Sequence, residues 1–103
     1  MSLEHASVQR WPAEAPPDEA LLRALLAGEG LDVFPWSNAP GELHAPHVHG
    51  YGNVLCVVQG SISFGLTDGQ VVLEAGDRLE LPAGIEHAAV VGPDGVHCLE
   101  GHR

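Results

Sequence analysis

Basic side chains are scarce in this sequence: Lys and Arg together number 4 against 14 Asp and Glu, a formal charge of −10 with histidine neutral. A surface that acidic repels phosphate backbones and anionic headgroups, which argues against nucleic acid and membrane as partners. Long apolar runs are also missing, since none approaches the roughly 20 residues a helix needs to cross a bilayer. The first residues lack the basic start and apolar centre of a signal peptide, because Glu4, Glu14 and Asp18 fall among Pro12, Pro16 and Pro17. Cysteine is limited to Cys56 and Cys98, too few for a disulfide framework. Both lie in apolar strand-like runs and read as small buried hydrophobes of a reducing, cytoplasmic setting.

What is present suffices for one globular domain, with 45% apolar residues in 103. Residues 1 to 17 carry three prolines and no clear period, which suggests an extended arm anchored by Trp11. A short helix follows. Asp18 can cap it, Glu19 suits its positive end, and Leu21, Leu22, Leu25 and Leu26 form an apolar stripe that Gly28 is placed to end. From residue 31 the pattern changes to short β-like runs: Leu31 to Trp36, Leu43 to His49, Asn53 to Gln59, Ser61 to Leu66, Gln70 to Leu73, Arg78 to Leu81, His87 to Val91 and Val96 to Glu100. Turn chemistry separates them, including Gln59-Gly60, Asp68-Gly69 as a hairpin signal, Ala75-Gly76-Asp77 and Gly92-Pro93-Asp94-Gly95. No long helix interrupts the runs, so the expectation is all-β: an antiparallel barrel or double-sheet jelly roll over residues 31–103, with residues 1–30 as an arm and helix packed on it. In the Asn53 to Gln59 run, Leu55 and Val57 share the parity of Asn53 and should face inward. Val54, Cys56 and Val58 are apolar too, so both faces of that strand should be covered.

The chemistry-bearing residues are histidines. His47 and His49 are one residue apart, so in an extended segment both imidazoles leave the same face. Two imidazoles pointing one way make half a metal site, and His87 follows a later glycine- and proline-punctuated turn. Gly41, His47, His49, Asn53 and Gly60 occur at intervals of five, one, three and six intervening residues. Gly76, Pro82, Gly84, His87 and Val91 occur at five, one, two and three, and 15 residues separate the two sets. This pattern resembles the two motifs of the cupins, in the order and spacing of the small single-domain bacterial members. The family's usual glutamate is Asn53 here and its usual final asparagine is Val91.

The resemblance implies a jelly-roll barrel holding a divalent metal ion, Fe, Ni, Zn, Mn or Cu, on His47, His49 and His87. Asn53 can supply only a neutral carbonyl oxygen, a weak ligand at best, so the centre keeps more positive charge and more open positions. Among cupins, thiol dioxygenases and some diketone-cleaving dioxygenases resemble this three-histidine arrangement. The function expected is therefore a metal-binding small-molecule cupin, as a metal-dependent dioxygenase acting on a small bidentate substrate or as a non-catalytic, ligand-binding or sensory barrel. Tyr51 and Arg78 are the only candidates near the motifs for orienting a substrate, and both read as structural or surface groups. Alternation puts His44 on the face opposite His47, with Pro46 able to disturb the pleat. Glu42 and His97 are auxiliary pocket candidates, Cys98 reads as an inert buried thiol, and His5 and His102 should be solvated near the termini. The exposed edges of so small a barrel, with an arm and a leucine-striped helix to cover something, suggest a homodimer.

Overall fold

The computed structural model describes residues 6–67 and 69–103; His5 and Asp68 lie outside the described residues. The elements are β1 (Ser7–Gln9), α1 (Glu19–Gly28), β2 (Val33–Asn38), β3 (Leu43–His47), β4 (Asn53–Leu66), β5 (Gly69–Glu74), β6 (Arg78–Leu81) and β7 (His87–His102). All pairings are antiparallel. This is the all-β, jelly-roll architecture the strand pattern predicts, with one short helix.

Two pairs of expected strands are fused. The runs on either side of Gly60 form the single strand β4, and those on either side of Gly92–Gly95 form β7. Each long strand serves two sheets. The first half of β4 pairs with β6 and its second half with β5, while β7 pairs first with β3 and later with β2. The two strands pair with each other along their lengths, with register shifts at Val57/Gln59 and Gly60/Ile62. At the second shift Gly60 faces Val96 and Ile62 faces Val91, so Ser61 alone opposes Gly92 to Gly95. The turn chemistry there was real, but it makes a bulge that carries both strands from one sheet to the other. Gly60 has φ +84°, and a Cβ on it would come within 2.0 Å of the Gly95 carbonyl oxygen. No other residue fits that crossing.

The core lies between the sheets and includes Leu55, Val57, Ile62, Phe64, Leu73, Leu79, Leu81, Ala89, Val91, Val96 and Cys98. A second cluster, Leu22, Leu26, Leu31, Val54, Cys56 and Leu99, lies between α1 and the outer face of the sheet built on β6, β4, β7 and β2. Both faces of the start of β4 are thus covered. Asp18 caps α1 by accepting the Ala20 N–H at 2.8 Å. Gly28 is the last helical residue, as expected, but the left-handed residue of the cap is Gly30, past the C-cap Glu29. Gly30 has φ +83°, its N–H reaches the Ala27 carbonyl, and the Leu31 N–H reaches that of Leu26. That is a Schellman ending, with Leu31 folded back on the helix's buried leucines. Only Leu22 and Leu26 of the expected stripe are buried, contributing roughly 2 kcal/mol each; Leu21 and Leu25 are exposed. Glu29, just past the helix, accepts both Arg78 guanidinium nitrogens and one of Arg103, pinning the helix end to β6.

The arm is held by one buried carboxylate. Asp77 follows Gly76, whose φ of +90° and missing Cβ leave room for the Trp11 ring. The Asp77 oxygens accept the N–H groups of Trp11 and Glu74 at 3.0 and 2.9 Å and Arg10 Nη1 at 2.8 Å, and β1 pairs with β6 beside them. Burial alone would raise the Asp77 carboxyl, but the Glu74 and Trp11 N–H groups and the Arg10 guanidinium outweigh it and hold it below its ordinary range. A lowered carboxyl stabilises the fold fully above its unfolded value, about 3.9, and that contribution is lost as pH falls through the lower folded value. Asp77→Asn should therefore cost about 1–3 kcal/mol at pH 7 by urea denaturation. It should also leave a shallower acid dependence than wild type, because the titrating group is gone.

The two cysteines belong to different layers, Cys56 under the helix and Cys98 between the sheets. Burial raises the Cys56 thiol and pushes that of Cys98 up to about 12. Both thiols should label slowly at pH 8 in the folded protein and rapidly in urea, with no bond formed between them on oxidation.

Candidate metal centre

The first motif enters the barrel on β3. Between His44 and His47 the pairing to β7 shifts register, so His44 opposes Ala89 while His47 opposes His87. That bulge, at Ala45-Pro46, corrects the expectation for His44. Strict alternation would turn His44 away from His47, but the extra residue brings both imidazoles into one cavity. The second motif is tied to the first by the Gly84 N–H, which donates to the His49 carbonyl at 3.0 Å. The turn before β7 is thereby fixed against the loop that carries His49, and His87 starts the strand that follows.

The ligand atoms of His47, His49 and His87 lie within 4.8 Å of one another. Ring centroids are 4.3 Å apart for His47 and His87, 4.7 Å for His47 and His49, and 5.2 Å for His49 and His87. Nδ1 of His47 is 2.7 Å from the Ala45 carbonyl and Nδ1 of His87 is 3.0 Å from that of Ile85. A carbonyl can only accept, so both Nδ1 atoms carry the proton and both Nε2 lone pairs are free. Burial lowers the His87 imidazole from its ordinary value. The two neighbouring imidazoles push the same way and the Ile85 carbonyl opposes them. His87 is thus neutral at pH 7, the form that ligates a metal.

Asn53 opens β4 and lines the same cavity. It is buried, and its Oδ1 has no hydrogen-bond partner within the protein. A buried acceptor with no donor costs about 1–3 kcal/mol, and an ion or an ion-bound water would satisfy it. Together with the three convergent nitrogens, this orphaned oxygen fits a cation. The group can hold a divalent ion without any carboxylate ligand.

The cavity has a volume of about 220 Å³. Besides the three histidines and Asn53, it is lined by His44, Trp36, Phe64 and Glu100 and by aliphatic side chains. Trp36, Phe64 and Glu100 were not singled out from the sequence. The signal for Glu100 was available, since Val96, Cys98 and Glu100 share one strand parity and the first two are core. His44 Nε2 is held 2.8 Å from Asn38 Oδ1, outside the close triad.

Other candidates lie elsewhere. His97 bridges Ser37 and Glu19, fastening α1 to β2, and is not in the cavity. Glu42 accepts from the Asn38 amide and the Ala39 N–H in an exposed turn. Arg78 is committed to Glu29 and Glu80 on the outer face, so it cannot orient a cavity ligand. Tyr51 stacks on His49 at 4.8 Å. His102 is not simply solvated: it lies 4.1 Å from the Tyr51 ring and meets Phe34 edge-on at 5.0 Å. Cys98 is buried in the core and is not among the cavity residues.

Against this geometry, the cupin domain model (Cupin_2) matches residues 36–100, more than half of the chain. The chain is a member of the cupin family. Among solved structures, this cupin is similar to KdgF from a Halomonas species (26% identity, TM-score 0.61), over 70% of this chain and 68% of that one. It is similar to a DMSP lyase (29% identity, TM-score 0.60), over 69% of this chain but 36% of that one. A DUF861-family protein from Thermotoga maritima matches over 96% of this chain and 98% of its own at TM-score 0.60, and at 15% identity it shares the fold alone. A comparison with curated proteins gives no match. Cupins with this barrel thus include proteins of varied enzymatic and unassigned function, and the same sheets carry several chemistries. No described helix is long and apolar enough to cross a membrane.

Proposed function

We propose that this cupin binds one divalent metal ion, Fe, Ni, Zn, Mn or Cu, through His47, His49 and His87, and uses the open coordination positions to hold a small bidentate oxygen ligand. The observation that carries the reading is the convergence of three imidazoles beside the orphaned Asn53 Oδ1 in one cavity. Three neutral nitrogens leave positions free, as in catalytic rather than closed structural sites. When bound, the ion would supply Lewis acidity and, if iron, dioxygen chemistry. The chain's own contribution is placement. Ala45 and Ile85 carbonyls orient two ligating rings, Phe64, Leu55, Leu81 and Ala89 keep the cavity apolar, and Tyr51 stacks against the third ring. Metal-dependent oxygenation of a small diketone or similar chelate is the activity this centre suits best. Oxygen uptake by the iron-loaded protein across small diketones and thiols tests it. Ligand binding without uptake or turnover would instead make the chain a binding or sensory barrel.

The assignment of ligands is tested by metal content after identical purification. His47→Ala, His49→Ala and His87→Ala should each lose most of the bound metal, whereas His97→Ala should keep it. Affinity should weaken as pH falls through the lowered value of the buried His87 imidazole, where that ring protonates and can no longer ligate. Equal metal in His47→Ala and wild type would remove the assignment.

We also propose a homodimer, though on different grounds from the arm and helix, which cover this chain's own sheet. On the outer face of the other sheet, Val72, Ser63, Val90 and Leu43 lie side by side across four strands, with Gly65 and Ala88 in the next row. Leu43 is 77% and Val72 50% exposed. Two copies that each carry −10 meet least repulsion over a row without charged side chains such as this one, with Glu74 beside Ser61 at its edge. Sedimentation should show a dimer at micromolar concentration that Leu43→Glu converts to a monomer with an unchanged circular dichroism spectrum.

A further inference from the structure

Among the residues lining the metal cavity, Glu100 is the only acid, and the proposed centre does not use it as a ligand. It stands at an interior position of β7, two residues beyond the core residue Cys98. Both its oxygens are held. Trp36 Nε1–H donates to Oε1 at 2.8 Å, and His102 Nε2 lies 2.7 Å from Oε2. The side chain is 17% exposed. Holding a carboxylate this way fixes its position without exhausting it, since an ionised carboxylate accepts about four hydrogen bonds. The other polar groups of the cavity have less to offer a ligand. His44 is engaged by Asn38, two of the triad Nδ1 atoms are spent on carbonyls, and the orphaned Asn53 Oδ1 is a neutral acceptor that the proposed centre gives to the ion or its water, while the aliphatic walls offer no acceptor.

We propose that Glu100 is the specificity-determining residue of the cavity. It selects a small uncharged chelating ligand that presents a hydroxyl proton to its carboxylate, over the same ligand with that proton capped. This rests on the metal-centred reading above. The physical reason is the asymmetry of a built acceptor. A hydroxyl that meets a fixed carboxylate makes a charge-assisted hydrogen bond, whereas a capped oxygen desolvates the carboxylate's remaining lone pairs and leaves them unfilled. Sites built to bond a hydroxyl discriminate against analogues lacking it far more strongly than apolar pockets sort by size. Trp36 and His102 are positioning residues in this scheme, because each acts through Glu100.

The test uses cobalt(II)-loaded protein, whose visible spectrum reports ligand binding without turnover, with hydroxyacetone and methoxyacetone as the matched pair. Wild type should bind hydroxyacetone about tenfold or more tightly than methoxyacetone. In Glu100→Gln the Trp36 N–H should keep the amide oxygen for itself and turn the NH₂ group to the other position, so the acceptor disappears. The preference should then fall to within about twofold, with cobalt still at one per chain. Full preference in Glu100→Gln with its cobalt intact overturns the proposal, and so does a wild type that binds cobalt yet shows no preference. Should Glu100→Gln fail to hold cobalt, Glu100→Asp keeps the charge but withdraws the carboxylate by one methylene. Its preference must fall in the same direction, and an undiminished preference there also overturns the proposal. A wild type that takes up no cobalt fails at an earlier step, since it removes the metal-centred reading and this inference with it.

Discussion

The pairing of β4 with β7 is the constraint on which the rest of the structure depends. Both strands are long enough to belong to two sheets, and they cross from one to the other together at the Gly60 and Gly92–Gly95 bulge. Everything that reaches the cavity is referenced to that pair. Asn53 opens one strand and His87 opens the other. β3 brings His47 alongside His87, and Glu100 approaches from the far half of β7. A bulkier residue at Gly60 would collide with the Gly95 carbonyl, and the two sheets could not stay in register across the crossing. The site is therefore built from residues distant in sequence but held by one continuous ladder, which suits a rigid cavity.

The charge distribution follows a similar economy. The body is acidic, yet the cavity contains one carboxylate and a set of histidines, with His87 kept neutral by burial and by its neighbours. The described arginines are all committed to carboxylates. Arg10 holds Asp77, Arg23 pairs with Glu19, and Arg78 and Arg103 share Glu29 and Glu80. Basic groups here fasten the arm, the helix and the C-terminal end to the barrel, and the pairs are partly exposed, so their separate contributions are modest. In the proposed centre, the positive charge would come from the ion.

The arm and helix belong to the barrel's own stability. Trp11, Leu22, Leu26 and Leu31 cover the outer face of one sheet, and Asp77 joins the arm to the β5–β6 turn. The opposite sheet has no such cover. Leu43 and Val72 are exposed there, as Leu21 and Leu25 are on the helix.

The two glycine- and histidine-spaced motifs made the barrel and the three imidazoles legible in the sequence, because both are encoded by local rules. Glycine and proline mark where the chain must turn, and His49 meets His47 as alternation predicts although it stands in the loop just past β3. The inward Leu55 and Val57 and the two-faced burial of β4 were likewise matters of parity. What parity could not supply was any place where the count slips. The bulge at Ala45-Pro46 brings His44 to the cavity, and the one at Gly60 merges two expected strands into one, because pairing partners far away in sequence absorb the extra residues. Parity does put Glu100 on the inward face with Val96 and Cys98, but it could not name the partner of either charged group. Arg78 went to Glu29 and Glu100 to Trp36, since each partner is set by how the helix and β2 pack on the sheet. Short-range periodicity marked the strands, the resemblance to the two cupin motifs pointed to His47, His49 and His87 together, and long-range register decided the rest of the cavity.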